Sequence, residues 1–336
     1  MRKLINDPYA VVDEMLGGLV AAFPGVVELT GSGRGVVYAA RHARRRVGVI
    51  VGGGSGHEPA FFGFLGPGLA DAAAVGNVFA APAATPAVEV ARQVAGEDGV
   101  LFLYGNYEGD IMNFDTASEL LADEGIAART VLVTDDVVSA PKESAEQRRG
   151  VAGGVIVFKA AGARAEEGAS GAEVELAARH ANARTRSAGV GLGPCAVPTA
   201  GRPTFELPEG EMDVGMGVHG EVGIRRGPLR PADEVADELL ELLLNDLPPR
   251  DGEPVHVLVN TLGATPLMEG LIVLRRVAQS LAAAGVRMHR AHVGEYVTSL
   301  EMTGLSLTLT HLDDELARLL DAPCRPLMAP TLGAWR

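Results

Sequence analysis

The chain has 336 residues, more than a single domain usually contains, which predicts about two domains that each bury a core. Its 29 Lys and Arg against 43 Asp and Glu give a net charge of -14, which disfavours nucleic acid and anionic membranes as partners. The two cysteines, Cys195 and Cys324, lie far apart and outside any zinc-binding spacing, so neither a disulfide framework nor a metal site is predicted.

The amino-terminal segment does not have the pattern of an export signal. Asp7 and Pro8 interrupt it before any apolar stretch, and no run in the chain approaches about 20 apolar residues. We therefore expect a cytoplasmic protein without a membrane span.

Short aliphatic or β-branched runs alternate with helical patterns along the chain. Such runs predict strands at 47–51, 99–104, 130–136, 189–193 and 254–260. Helices are predicted at TASELLADEGIAA and at DEVADELLELLLND, the second with Asp233 as its N-cap. The alternation predicts an α/β fold with mixed or largely parallel sheets.

The segment 161–188 joins a Gly/Ser loop to a polar helix, which makes it the best candidate for a change of domain. We place the boundary near residue 185. The expected division is one α/β domain over residues 1–185 and a second over residues 186–336.

Glycine-bearing stretches follow three of the predicted strands. They are GGGSGHEP at 52–59, GNYEGD at 105–110 and TLGATP at 261–266. Because the carboxyl ends of strands in open α/β sheets converge on a ligand crevice, chemistry is expected in these loops.

The first of these loops does not match a nucleotide site. His57 follows Gly56 where a phosphate-binding loop needs lysine, and no Gly-x-Gly-x-x-Gly fingerprint opens a helix here. A nicotinamide-dependent oxidoreductase is disfavoured for the same reason. The glycines instead allow the backbone to approach a small ligand, with Ser55 and His57 as polar tips.

Three polar side chains are candidates for chemistry, each with a structural alternative. Asp110 is either a general base on a substrate hydroxyl or the N-cap of the following helix. His57 either orients or stabilises the reacting group or is a structural histidine. His219, which has glycines at 215, 217, 220 and 223 around it, is either a nucleophile towards a carbonyl or a turn residue.

The other histidines in helical and strand patterns have no matched polar partners in the sequence. We interpret His180, His256, His289 and His311 as surface or packing residues. Cys195 is interpreted as a small buried thiol rather than a nucleophile.

Seven motifs, taken in order and spacing, resemble the substrate-binding K subunit of dihydroxyacetone kinases. They are KLIND at 3–7, GGGSGHEP at 52–59, NYEGDIMNF at 106–114, RRGVAG at 148–153, GPCAVPTAGRPTFELPEGEMDVGMGVHGEVGI at 193–224, VNTLGATP at 259–266 and GEYVTSLEMTGLSLTL at 294–309. The resemblance implies two α/β domains in a homodimer and a kinase that recognises short ketoses.

The resemblance also implies a role for each candidate residue. His219 matches the histidine that adds to the substrate carbonyl as a hemiaminal, His57 the histidine that hydrogen-bonds the sugar, and Asp110 the base on its hydroxyl. The glycine-rich loop would then cradle a sugar through four residues, Gly53, Gly54, Ser55 and Gly56. A covalent link suits a triose, which offers few atoms for noncovalent binding.

The nucleotide of this family belongs to a separate L domain or subunit. The chain ends at Arg336, shortly after the K region, so we expect no nucleotide or metal on it. ATP, or ADP rephosphorylated by a phosphotransferase chain, would lie with magnesium on an L-type partner. Without that partner the protein is expected to be inactive.

Three departures from the family pattern bear on which ketose is the preferred substrate. A lysine of the usual KNYTGD becomes Gly105 and its threonine becomes Glu108, while the usual Ser-Pro becomes Ala81-Pro82. Lost donors and added volume can change discrimination between substrates. They favour the hypothesis of a four-carbon tetrulose or branched ketose, with dihydroxyacetone as the alternative.

A second class of function is a ketose-sensing regulatory protein without kinase activity. That role goes with loss of part of the catalytic set. His57, Asp110 and His219 are all present, which favours the enzyme.

Overall fold

The computed structural model describes residues 3–40, 45–250 and 252–333. Two six-stranded sheets carry the fold, each with helices packed against it. The mixed α/β class expected from the sequence is confirmed. No helix within the described ranges is long and apolar enough to cross a membrane.

The first sheet has the strand order β1-β2-β4-β3-β5-β6. Its strands are β1 (Val27–Leu29), β2 (Gly35–Tyr38), β3 (Gly48–Ser55), β4 (Ala72–Val78), β5 (Val100–Gly105) and β6 (Ala128–Val133). The last four of these pair in parallel, whereas β1 and β2 are antiparallel additions. The helices of this half are α1 (Val11–Ala22), α2 (Ala84–Val94), α3 (Glu108–Asp123), α4 (Gly154–Glu166) and α5 (Gly171–Ala183).

Strand β3 shows why this sheet is covered on both faces. Val49 and Val51 enter one core with α4, whereas Ile50 enters another with α2 and α3. Alternate side chains of a strand point to opposite faces, so an uninterrupted apolar run belongs to a sheet buried on both sides.

The sequence prediction ended β3 too early. The strand continues through Ser55, and Gly52, Gly53 and Ser55 pair with β4. The first half of the glycine-rich stretch is therefore strand, and the loop proper begins at Gly56.

The second sheet has the strand order β11-β10-β12-β7-β8-β9 and is mostly antiparallel, with only β10 and β11 parallel. Its strands are β7 (Thr185–Gly193), β8 (Glu211–Val214), β9 (Arg225–Pro228), β10 (Val255–Thr261), β11 (Met288–Gly294) and β12 (Thr303–His311). The helices that follow are α6 (Ala232–Asp246), α7 (Leu267–Ala283) and α8 (Asp314–Asp321).

The expected N-cap of α6 is wrong. The helix begins at Ala232 after Pro231, and Asp233 lies in its first turn, where its carboxylate pairs with Arg275 of α7. Proline fixes a backbone angle suited to a helix start, so the acid is displaced from the cap into the turn, where it still complements the helix dipole.

The chain passes from the first sheet to the second at Thr185, next to the boundary expected from the sequence. However, α8 returns to the first half, where Leu316, Leu319 and Leu320 join the core of α4. The division into 1–185 and 186–336 therefore stays a prediction.

A buried ion pair ties the loop before α4 to the end of α6. Arg148 is 1% exposed and donates to both carboxylate oxygens of Asp246, at 3.0 and 2.5 Å, and Arg186 of β7 also donates to that carboxylate. Burial alone would raise the pKa of Asp246, but the two arginines lower it.

We expect Arg148→Ala to destabilise the protein by about 3 kcal/mol, because it leaves Asp246 buried with part of its pairing lost. Urea unfolding would measure this. Arg275→Ala, which removes an exposed pair with Asp233, is the matched control and should cost less than about 1 kcal/mol. Equal losses in both variants would contradict the expected role of burial.

Candidate active site

The three candidate residues meet at one small cavity between the two sheets. His57 follows β3, Asp110 lies in the first turn of α3, and His219 lies in the loop between β8 and β9. All three line a cavity of about 50 Å³. The Nε2 atoms of His57 and His219 are 3.0 Å apart.

Asp110 does not cap its helix. The N-cap position of α3 is Tyr107, and Asp110 is the third residue of the helix, so the structural alternative for this side chain is wrong. Its Oδ1 is buried without a hydrogen-bond partner. Burial raises the pKa of Asp110 to about 7, although the neighbouring His219 lowers it in part. A carboxyl group with a raised pKa and an unpartnered Oδ1 suits a general base.

His57 is held in one orientation by the other half of the chain. Its Nδ1 lies 2.7 Å from the carbonyl oxygen of Thr298. Because a carbonyl only accepts, Nδ1 carries the proton. Burial, and then the charge of His219, lower the pKa of His57 to about 3, so the ring is neutral and Nε2 presents a lone pair.

His219 is held by its own loop. Its Nδ1 lies 3.1 Å from Oε1 of Glu221, and its backbone N–H donates to Oε2 of the same carboxylate at 2.8 Å. Phe79 and Tyr107 face the imidazole edge-on, with ring centroids 5.2 and 5.1 Å away. The ring is thus clamped, while its side chain remains 27% exposed.

The residues expected to cradle the substrate divide into two groups. Gly53, Gly54 and Gly105 line the cavity. Ser55 turns its hydroxyl away and donates to the carbonyl of Gly76 at 2.7 Å, so it offers no polar tip. Gly56 and Ala81 are not among the cavity-lining residues.

Two glycines of this group are packed against aromatic rings. A Cβ at Gly53, which has φ +157°, would lie 2.2 Å from the ring of Phe61. A Cβ at Gly105 would lie 2.9 Å from the ring of Tyr107. The space expected beside Gly105 is therefore taken up by Tyr107, whose hydroxyl donates to the carbonyl of Gly150.

Four residues of the site had no role in the sequence interpretation. Phe79, Tyr107, Glu221 and Thr298 contact the histidines. Tyr107 and Glu221 belong to motifs quoted for the resemblance, and a carboxylate two residues after a candidate nucleophile is a usable signal. Thr298 lies 241 positions from His57, and no local pattern predicts that contact.

A larger cavity of about 910 Å³ lies between α1, the loop after His57 and the start of α7. Its walls are mainly apolar, including Leu19, Phe62 and Met328. We assign the site to the smaller cavity because the two imidazoles and the carboxyl group of Asp110 converge there. No group of three or more metal-ligating side chains is placed to hold a metal ion in the parts of the chain that the structure describes.

Comparison with known proteins supports the resemblance. The Dak1 domain family matches residues 17–328. A subunit of Listeria innocua named "PTS-dependent dihydroxyacetone kinase 2, dihydroxyacetone-binding subunit DhaK" is 48% identical, with 96% of this chain and 98% of that protein covered. An "L-erythrulose kinase" of Pectobacterium atrosepticum is 45% identical. That match covers 96% of this chain but only 55% of the relative, so this chain spans about half the length of that protein.

Solved structures have the same fold. The dihydroxyacetone kinase of C. freundii, in complex with AMP-PNP and Mg²⁺, superposes with a TM-score of 0.89 at 32% identity, covering 98% of this chain and 61% of that one. An operon co-activator, Dha-DhaQ, superposes with a TM-score of 0.87 at 32% identity, covering 94% and 97%.

The fold and the comparisons define a substrate-binding subunit of the DhaK type. The chain belongs to the Dak1 family.

Proposed function

We propose that this protein captures a short ketose on His219 and presents a hydroxyl of that ketose to a phosphoryl donor held by an L-type partner. One observation carries the proposal: a clamped imidazole, a neutral imidazole and a carboxyl group with an unpartnered Oδ1 share one small cavity. The family and its kinase members support the reaction class.

The roles follow from the atoms that face the cavity. Nε2 of His219 attacks the ketose carbonyl carbon, and the carbonyl oxygen takes up a proton to become a hemiaminal hydroxyl. Asp110 accepts the proton of a second substrate hydroxyl as that oxygen attacks the phosphoryl group. His57 hydrogen-bonds the captured sugar, since its Nε2 presents a lone pair there.

The phosphoryl donor is proposed to come from the partner. Phosphoryl transfer requires a metal-bound donor aligned with the attacking oxygen, and the site described here supplies only the acceptor side. The Listeria relative is itself named as a binding subunit, and the match covers 98% of its length. We expect ATP or ADP with magnesium on the partner, and a homodimer of this chain.

The small size of the cavity favours a short substrate. About 50 Å³ of space holds about four water molecules, at roughly 10–15 Å³ each. Ala81 is not among the cavity-lining residues and Tyr107 fills the space beside Gly105, so the volume argument for a larger sugar is weaker than expected. We propose a ketose of three or four carbons, with a tetrulose preference to be tested by competition between erythrulose and dihydroxyacetone.

The test of the proposed function is direct detection of the adduct. Each ketose, ¹³C-labelled at its carbonyl, is added to the protein and to His219→Ala. A protein-bound tetrahedral carbon signal that is absent from the variant is the expected result, with a matching mass increment in mild intact-protein mass spectrometry. No bound signal with either sugar, in protein shown to be folded, would contradict covalent capture.

A ketose sensor is the second candidate, because the operon co-activator Dha-DhaQ shares this fold over 97% of its length. A sensor needs capture but no acceptor chemistry. Phosphorylated ketose formed with an added L-type partner would favour the kinase, whereas capture without any product would favour the sensor.

A further inference from the structure

Glu221 contacts the candidate nucleophile through both of its carboxylate oxygens. Oε1 accepts from the ring of His219 and Oε2 accepts from its backbone N–H, at 3.1 and 2.8 Å. The carbonyl of Glu221 also accepts from the N–H of Gly217 at 3.1 Å. The loop is thus folded around this carboxylate.

A second ion pair supports Glu221 from behind. An Nη1 of Arg149 lies 3.8 Å from Oε1 of Glu221. The same guanidinium donates to the buried Asp136, at 3.0 Å from Nε, and contacts the carbonyl of Gly215 at 3.4 Å. Asp136, Arg149, Glu221 and His219 therefore form one chain of charged and polar contacts.

A side chain at Gly217 would displace the ends of two neighbouring side chains. A Cβ there would lie 2.2 Å from Oε2 of Glu221 and 2.6 Å from Nη1 of Arg149. The close approach of carboxylate and guanidinium depends on this glycine.

These contacts fix the protons of both imidazoles. Glu221 is ionised: although burial would raise its pKa, the hydrogen bond and charge of His219 and the charge of Arg149 lower it to about 2. A carboxylate only accepts, so Nδ1 of His219 carries a proton, as does Nδ1 of His57 facing Thr298.

The two Nε2 atoms then face each other at 3.0 Å. Two bare lone pairs at hydrogen-bonding distance repel, so one proton must lie between them. It rests on His219, which has the carboxylate beside it, rather than on the buried His57.

We propose that Glu221, supported by Arg149, is a positioning residue that keeps Nδ1 of His219 protonated and holds one shared proton between the two Nε2 atoms for delivery to the ketose oxygen. The delivery of this proton to a ketose rests on the proposed function, whereas the position of the proton in the ligand-free protein does not.

The capture step balances with this proton alone. The shared proton moves fully to Nε2 of His57, and the lone pair left on His219 attacks the carbonyl carbon. A C–N bond forms, the C=O π bond breaks, and its electron pair goes to the oxygen, which takes the proton from His57. The products are a hemiaminal hydroxyl, a neutral His57 and an imidazolium at His219 that faces Glu221.

Glu221→Gln tests the assignment, because glutamine keeps the size of the side chain and removes its charge. Exposed Glu206, in the segment between β7 and β8 that precedes this loop, gives the matched control Glu206→Gln. The protein is labelled with [¹⁵N]histidine, and the signals of His219 are assigned by their loss in His219→Ala. Ring ¹⁵N spectra are recorded without ligand near neutral pH, followed by the rate of adduct formation.

In the wild-type protein and in the control, both ring nitrogens of His219 should bear hydrogen. In His57, only Nδ1 should bear hydrogen. Glu221→Gln should show a neutral His219, and adduct formation slowed at least about 10-fold, the lower end of what loss of a carboxylate behind a metal-binding histidine costs. A wild-type His219 with a bare Nδ1, or a Glu221→Gln spectrum equal to wild type, would overturn the inference.

The two proposals fail in different ways. Absence of any adduct in wild-type protein would refute covalent capture, while the ligand-free ring spectra would still decide the position of the proton. An adduct that forms equally fast in Glu221→Gln and in Glu206→Gln would leave capture intact and refute the role of Glu221.

Discussion

Asp110→Asn is expected to lower the rate of ketose phosphorylation about 100- to 10,000-fold, the usual contribution of a general base. Asparagine keeps the shape of the side chain but cannot accept a proton from the substrate hydroxyl. In the wild-type protein, burial raises the pKa of Asp110 to about 7, so the rate should rise with pH through that value as the carboxylate forms. The variant should lose this pH dependence.

The same substitution should make the folded protein more stable. A carboxyl group whose pKa is 3.8 in the unfolded chain and about 7 in the native state is protonated in both states below 3.8. Its ionisation opposes folding increasingly as the pH rises towards 7, by up to about 4 kcal/mol at 1.36 kcal/mol per unit of pKa. Asparagine removes that cost, so we expect a gain of up to about 4 kcal/mol near pH 8 and little gain near pH 4.

Turnover with an added L-type partner and urea unfolding at the two pH values would measure both effects. Glu119→Gln, an exposed acid on the same helix, is the control and should change neither property. A rate that stays high in Asp110→Asn would exclude the base, and a lower stability near pH 8 would show that Oδ1 finds a partner in solution.

Mild acid should destabilise the protein strongly, because four histidines are buried in neutral form. Burial is the main cause that lowers the pKa of His57 to about 3, of His292 and His311 to about 4, and of His256 well below its usual value. Neighbouring charge adds to this, from His219 on the pKa of His57, from His292 and then Arg290 on that of His256, and from arginines on those of His292 and His311.

The sign follows from proton binding. Below pH 6.5 these histidines bind protons in the unfolded chain but stay neutral in the native state, so stability falls as the pH falls. For a pKa of about 4 against 6.5, each histidine contributes roughly 3 kcal/mol of this loss by pH 4.

His256→Phe should reduce this acid sensitivity by the share of one histidine. His256 packs against His292 with ring centroids 5.0 Å apart, and its Nδ1 has no hydrogen-bond partner, so an apolar ring suits the position. Unfolding free energies measured between pH 8 and pH 4 would give the slope. A slope equal to that of the wild type would mean that His256 takes up its proton without unfolding.

The sequence interpretation reached the main parts of the site. His57, Asp110 and His219 each lie in a motif of their own, and glycines around two of them signal close backbone approach. The fold class was predictable because buried parallel strands such as β3 read as continuous apolar runs.

Other features depend on contacts between distant segments. Ser55 was expected to face the ligand, but strand pairing with β4 turns its hydroxyl to Gly76. His180 and His289 were expected to lack polar partners, yet they pair with Asp313 and Asp321 at 2.6 and 3.0 Å. The return of α8 to the first core likewise has no local signal in its sequence.

The anchoring of His57 by the second half of the chain has a consequence for folding. Besides the contact of its ring with Thr298, its carbonyl accepts from the N–H of Thr298 at 3.1 Å, and Gly56 accepts from Leu300 at 2.7 Å. His219 belongs to the loop that joins β8 to β9. A nascent chain in which only the first sheet had formed would hold one unoriented imidazole and no facing partner. The site that we propose for ketose capture would therefore be complete only after both sheets had folded and joined.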